Sequence, residues 1–207
     1  MTTSEIIIKS KRNRYYFETI DLVLVALFSA LGGVFSVFIG NLTRTIFSSS
    51  LFGLGQLFSG LHIFWYVIVY YLSGHKFGVV TLTGIIKGVV EVFIGSTLSI
   101  TVVMISVGGA ILFDLLAVLL FKLISYERGR TLGIIVSSGL SSSFNVLVLW
   151  NILLSGIEKN GLPNAWIIVL IGFSFISGVI FAGFLGQEIA KYFVRSGLLN
   201  WQKSKEE

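Results

Sequence analysis

Two opposite charges stand four residues apart inside the apolar stretch GIIKGVVEVFIG: Lys87 and Glu91. At helical spacing they share one face. Charges in so aliphatic a setting are costly if the stretch crosses a bilayer, so they either neutralise each other or serve a ligand. His62 and Trp65 share a helical face in the same way, three residues apart. The imidazole could hydrogen-bond a polar ligand and the indole could stack on a flat ring. Asn145 adds an amide that both donates and accepts.

This is the chemistry of binding. The chain has no GxxxxGK[ST], HExxH or GxSxG motif, no cysteine, and no Asp/Glu/His cluster with metal-ligand spacing. The sequence therefore predicts no enzyme activity, no cofactor and no metal site, and it gives the chain no P-loop for ATP.

The elements that would carry these residues follow from composition. Of 207 residues 55% are hydrophobic and only 12% charged, and the mean hydropathy is +0.92. One soluble core of this size could not hide so much apolar surface, which predicts an all-α, polytopic membrane protein. Gaps between charges give six expected spans, at 20–40, 56–73, 77–95, 98–122, 131–154 and 164–188. A basic arm (1–19) and a basic tail (191–207) flank a membrane domain at 20–190. With that layout twelve Lys and Arg residues fall on one side and only Arg44 and Lys159 on the other. The bias predicts that both termini are cytoplasmic in a plasma-membrane protein, and it explains the net charge of +5 without nucleic acid.

Depth can be estimated from a rise of about 1.5 Å per residue. Glu91 then lies about 6 Å and Lys87 about 12 Å below the outer end of the third span. His62 and Trp65 are about 9 and 13 Å down the second span, and Asn145 about 13 Å down the fifth. Three segments not adjacent in sequence thus put polar or aromatic groups in one outer layer, which predicts an outward-facing small-molecule pocket. Asp114 lies about 24 Å down the fourth span, too deep to share it. It pairs with inner-side polar groups or couples conformations. The stretch NLTRTIFSSSLFGLG, from Asn41 through Thr43 and Arg44, suits an external lid better than a tight turn. Ala26 and Ala30, with Gly33 beyond them, form a small-residue face that would let another helix approach closely.

These residues resemble those of the substrate-binding S components of energy-coupling factor (ECF) vitamin transporters, and within them the YkoE-like hydroxymethylpyrimidine and thiamine group. The resemblance covers roughly residues 21–121 and rests on DLVLVALFSALGGVFS and on GLHIFWYVIVYYLSGHKFGVVTLTGIIKGVVEVFIGS. Gly60 and Leu61, the loop GHKFG, and Glu91 with Gly95 occupy the family's marked places. His62 stands where the pattern has an aromatic residue and Lys87 where it has a small one. They suit an anionic or hydrogen-bonding ligand as readily as a pyrimidine.

The resemblance implies six helices, an external site and a lid after the first helix. It also implies docking through Ala26 and Ala30 onto a transmembrane T component driven by two cytoplasmic ATPase subunits. Two other classes stay open at this point: a stand-alone proton-coupled carrier working through Glu91 or Asp114, and a membrane scaffold with no small ligand.

Overall fold

The computed structural model describes residues 16–46, 57–95, 100–124, 127–153 and 164–196. Among them the regular structure is helical: α1 (Thr19–Ile46), α2 (Ser59–Leu72), α3 (Val79–Phe93), α4 (Ile100–Leu123), α5 (Glu127–Leu153) and α6 (Asn164–Ser177). A π-helical stretch, Gly178–Gly186, then runs into α7 (Gln187–Arg195) without a break, as the helical φ and ψ of Ser177 and Gly186 show. Four segments are long and apolar enough to cross a membrane: Thr19–Thr43, Ile100–Leu123, Arg130–Leu149 and Ile167–Arg195.

The second and third expected spans are shorter than predicted, with 14 residues in α2 and 15 in α3. At about 1.5 Å per residue each covers little more than 20 Å of a hydrocarbon core about 30 Å thick. The burial of α2 explains how so short an apolar helix is tolerated. Ile63, Tyr66, Val67, Ile68, Val69, Tyr70 and Leu72 are all core residues. The helix is packed against α1, α3, α5, the π stretch and α7, so protein covers it rather than lipid.

That enclosure requires close backbone approach. A Cβ on Gly60 would lie 2.1 Å from the carbonyl oxygen of Ser177, and one on Gly178 2.6 Å from that of Ser138. Buried hydroxyls satisfy one another across the same seam. Ser59 Oγ is 2.9 Å from Ser142 Oγ and 2.7 Å from Ser174 Oγ. Ser177 Oγ accepts the Gly60 N–H at 2.9 Å and donates to the Leu57 carbonyl at 2.5 Å.

One end of the bundle collects Lys76, Lys122, Arg130 and Arg195, and is called the basic end below. There Lys76 pairs with the buried Asp21 at the start of α1. The turn between α2 and α3 has positive φ at Gly74 (71°), His75 (64°) and Gly78 (85°). The α3 amino terminus has no cap from its own chain segment. Asp114 of α4 supplies one: its Oδ2 accepts the Thr81 N–H at 2.8 Å and the Thr81 hydroxyl at 2.7 Å. Of the two roles expected for Asp114, this is the one that binds polar backbone.

Two expectations need correction. Asn41, Thr43 and Arg44 are not in a loop: α1 continues through them to Ile46. Their polar character misled because such side chains can bond back to the helix. Thr43 Oγ1 donates to the Ile39 and Gly40 carbonyls, both at 2.9 Å, and Thr45 Oγ1 to that of Asn41. Residues 47–56, the rest of the expected lid, lie outside the described residues. The second correction concerns Gly33, which does not lie on the open small-residue face. It is buried in the α1–α3 contact, where an added Cβ would lie 2.6 Å from Val90 Cγ1. Ala26 and Ala30 do face outward, beside exposed Leu22, Leu27, Leu31 and Val34.

Candidate functional site

The site is built on α3. Thr83 and Val90 turn toward α1, where Ser29 donates to the Thr83 carbonyl and Gly33 meets Val90. Gly84 and Gly88 turn toward α4, against Ala110, Ser106 and Val103. Lys87 and Glu91 occupy the face between these two contacts and are directed at α2.

Both side chains are buried, Lys87 at 2% and Glu91 at 3% exposure. Lys87 Nζ donates to Glu91 Oε1 at 2.6 Å. The other carboxylate oxygen accepts from Ser106 Oγ of α4 at 3.0 Å. The ammonium lies 5.7 Å from the centre of the Tyr66 ring of α2, within cation–π range. Tyr66 in turn donates its hydroxyl to the Ser106 carbonyl at 2.9 Å. His62, one turn along α2 from Tyr66, is within electrostatic reach of both Lys87 and Glu91. Three helices thus converge on one ion pair.

Asn145 approaches from α5. It is 7% exposed, and its Oδ1 finds no hydrogen-bond partner. That oxygen would lie 3.1 Å from a Cβ on Gly109 of α4, with Ser141 Oγ at 3.4 Å and Ile63 of α2 at 3.9 Å from the same point. Ser141 cannot satisfy it, because its hydrogen goes to the Gly109 carbonyl at 2.5 Å. A buried acceptor left without a donor is rare and calls for an explanation.

Trp65 is placed otherwise. Its ring packs with Phe28 and Phe35 of α1 and Phe64 of α2, at centroid distances of 6.1, 5.7 and 5.3 Å. A Cβ on Gly32 would touch it at 3.0 Å. The indole therefore fills the α1–α2 seam, and its Nε1 is buried without a partner. Thr43 sits on α1 beyond this layer, and the Arg44 side chain lies outside the described residues.

Sequence reasoning missed Tyr66 and Ser106. Tyr66 stands in the run IFWYVIVYY, where one aromatic residue looks like the next, yet its place four residues after His62 puts it on the His62 face. Ser106 sits in an apolar helix with no local mark of its role.

The donor set does not resemble a metal site. Among the described residues no three His, Cys, Asp or Glu side chains gather closely enough to hold an ion. The one carboxylate of the cluster already has an ammonium 2.6 Å away.

Comparison with known proteins places this architecture. A solved structure titled "Crystal structure of an S-component of ECF transporter" superposes with a TM-score of 0.70 at 19% identity, covering 92% of this chain and 94% of that one. At that identity the likeness establishes the fold. A comparison with the curated proteins gives no match. Residues 20–144 match the family described as "ABC-type cobalt transport system, permease component". The match takes in α1 through α4 and most of α5, including every residue of the cluster around Glu91. The chain is a multi-pass membrane protein that belongs to the ABC-type cobalt transport system permease component family and has the fold of an ECF transporter S component.

Proposed function

We propose that the chain is the substrate-capture subunit of an ECF-type importer. The observation that carries this reading is the buried Lys87–Glu91 pair, held by Ser106 and Tyr66, inside a bundle with the S-component fold. Glu91, Lys87, His62 and Asn145 line the ligand site at the end of the bundle away from the basic residues. Trp65 supports it from the α1–α2 seam. The basic end is cytoplasmic, the chain crosses the membrane six times, and the ligand arrives from outside. Ala26 and Ala30, on the open face of α1, meet a transmembrane T component, and two ATPase subunits supply the energy.

The ligand is a small organic molecule of the vitamin or vitamin-precursor class, of which thiamine and hydroxymethylpyrimidine are members. The cobalt in the family's description finds no matching donor set among the described residues. A divalent ion beside Lys87 would meet repulsion from the ammonium and only one carboxylate to offset it.

Calorimetry on the purified chain tests the reading. The panel is thiamine, hydroxymethylpyrimidine, pyridoxine, pantothenate and cobalt(II). Saturable binding of an organic member without ATP is the expected result. Binding of cobalt(II) alone would overturn the ligand class, and no binding at all would remove the capture role. The proton-coupled carrier is weakened by the employment of Asp114 as a helix cap, since it leaves only a carboxylate already paired. Uptake into proteoliposomes holding this chain alone, driven by a pH gradient, would revive it.

A further inference from the structure

The Lys87–Glu91 pair also constrains the charge of whatever is captured. Lys87 and Glu91 are both almost wholly enclosed. Each carboxylate oxygen has one donor, Lys87 or Ser106. The pair by itself therefore brings no net charge into the enclosure. Other elements also put groups beside the pair. From α2 these are His62 and Tyr66, and from α4 the uncharged Ser106; α1 meets α3 on another face, through Ser29 and Gly33. Among the described residues the other buried acids, Asp114 and Asp21, are employed at the basic end, one on Thr81 and the other on Lys76. Among the described residues no further ion pair forms at the site.

A ligand of net charge would add an uncompensated charge to this enclosure, at high desolvation cost. The pair offers two ways to avoid it. Lys87 can release a proton to water, leaving Glu91 to face a cation. Glu91 can take a proton from water, leaving Lys87 to face an anion. In either case the total charge in the site returns to zero.

Resting on the capture reading above, we infer that the Lys87–Glu91 pair makes capture electroneutral: a monocation enters with release of one proton, a monoanion with uptake of one, and a neutral ligand with neither. Asn145 complements this, because its unpartnered Oδ1 accepts a hydrogen bond from the ligand without adding charge.

The test is proton counting by calorimetry, with each titration repeated in buffers of different ionisation enthalpy. The probes are thiamine, a permanent cation; pyridoxine, net neutral; and pantothenate, an anion. Whichever of them binds is expected to show a proton count equal to its charge. Affinity for thiamine should rise about tenfold per pH unit, that for pyridoxine should stay flat, and that for pantothenate should fall about tenfold. Thiamine bound with no proton released would overturn the inference.

Lys87→Met combined with Glu91→Gln assigns the source to the pair: with no proton left to exchange there, any thiamine bound should enter without proton release and with no pH slope. His62→Gln should retain the release; its loss there would move the role to His62 and overturn the assignment to the pair. If no probe binds, the capture reading fails, and the neutrality claim is read separately from stability. Lys87→Met and Glu91→Gln should each lower the melting temperature and the double variant should recover most of it. Single variants as stable as the double would show that the enclosure tolerates net charge.

Discussion

Removing one member of the Lys87–Glu91 pair leaves the other buried without its counter-charge. In Lys87→Met the carboxylate keeps only the Ser106 hydrogen at 3.0 Å. In Glu91→Gln the ammonium keeps the amide oxygen of the new side chain and the Tyr66 ring at 5.7 Å. Breaking a buried pair from one side costs about 3–5 kcal/mol, whereas replacing both members with uncharged groups is often neutral. Lys87→Met should sit at the upper end of that range. Glu91→Gln should fall lower, near about 2–3 kcal/mol, because a charged-to-neutral hydrogen bond survives. At about 2–4 °C per kcal/mol for a chain of this size, the first loss is a fall of about 10 °C or more. Fluorescence melting in detergent micelles would measure it for the wild type, both single variants and the double. The double variant should lie within about 1–2 kcal/mol of wild type. Additive losses in the double would refute the reasoning, since they would mean that the two side chains are not partners in the folded protein.

The remaining predictions concern other parts of the bundle. Burial first, and then the charge of Arg130, push His75 in the α2–α3 turn down to about 4. The unfolded chain then binds the proton first as the pH falls, so stability is full above about 6.5 and declines toward 4. His75→Asn tolerates the φ of 64° and has no proton to gain, so that acid limb should flatten in melts taken across this range. Gly60→Ala drives a methyl into the backbone of Ser177 and should cost about 3 kcal/mol or more, while Gly40→Ala, with nothing within 4 Å, should be neutral or gain up to about 1 kcal/mol in the same melts. Asp114→Asn keeps an acceptor for Thr81 and should retain most of the stability lost in Asp114→Ala, about 1–3 kcal/mol. Proton-dependent uptake abolished by Asp114→Asn in a stably folded protein would contradict a purely capping role.

The cluster around Glu91 was legible in the sequence because the pair and His62 announce themselves by type and because depth follows from helical rise. The helical periodicity that pairs Lys87 with Glu91 also pairs His62 with Tyr66, so one more turn of the same logic reaches the cation–π partner. Ser106 was not legible: only the packing of Gly84 and Gly88 against α4 brings its hydroxyl to Glu91. The surroundings of Trp65 were not legible for a related reason. Trp65 shares a broad face with His62, yet its ring is held on the α1 side by Phe28, Phe35 and the absence of a side chain at Gly32. The length of α1 escaped because Asn, Thr and Arg after Gly40 read as a connection, whereas the threonine hydroxyls fold back on the helix itself. The role of Asp114 needed the tertiary structure, since a cap supplied by a neighbouring helix leaves no mark at the capped terminus.

The two sides of α2 differ in how they are joined to the rest, and that difference bears on how a ligand could act. Toward α5 and the π stretch, backbone meets backbone at Gly60 and Gly178, with Ser59, Ser142, Ser174 and Ser177 hydrogen-bonded across the gap. Such a seam has little room to slide, since any shift breaks several buried hydrogen bonds at once. Toward α1 and α3 the contacts are side-chain contacts: the Trp65 aromatic cluster on one side, and the Lys87 ammonium over Tyr66 on the other. Aromatic and cation–π contacts fall off gently with small displacements, and they leave α1 and α3 the freer partners. Glu91 and Lys87 ride on α3, and the open Ala26 and Ala30 face rides on α1, which is joined to α3 at Gly33 and Ser29. On the capture reading proposed above, a ligand that contacts the pair would touch the same two helices that carry the exposed face.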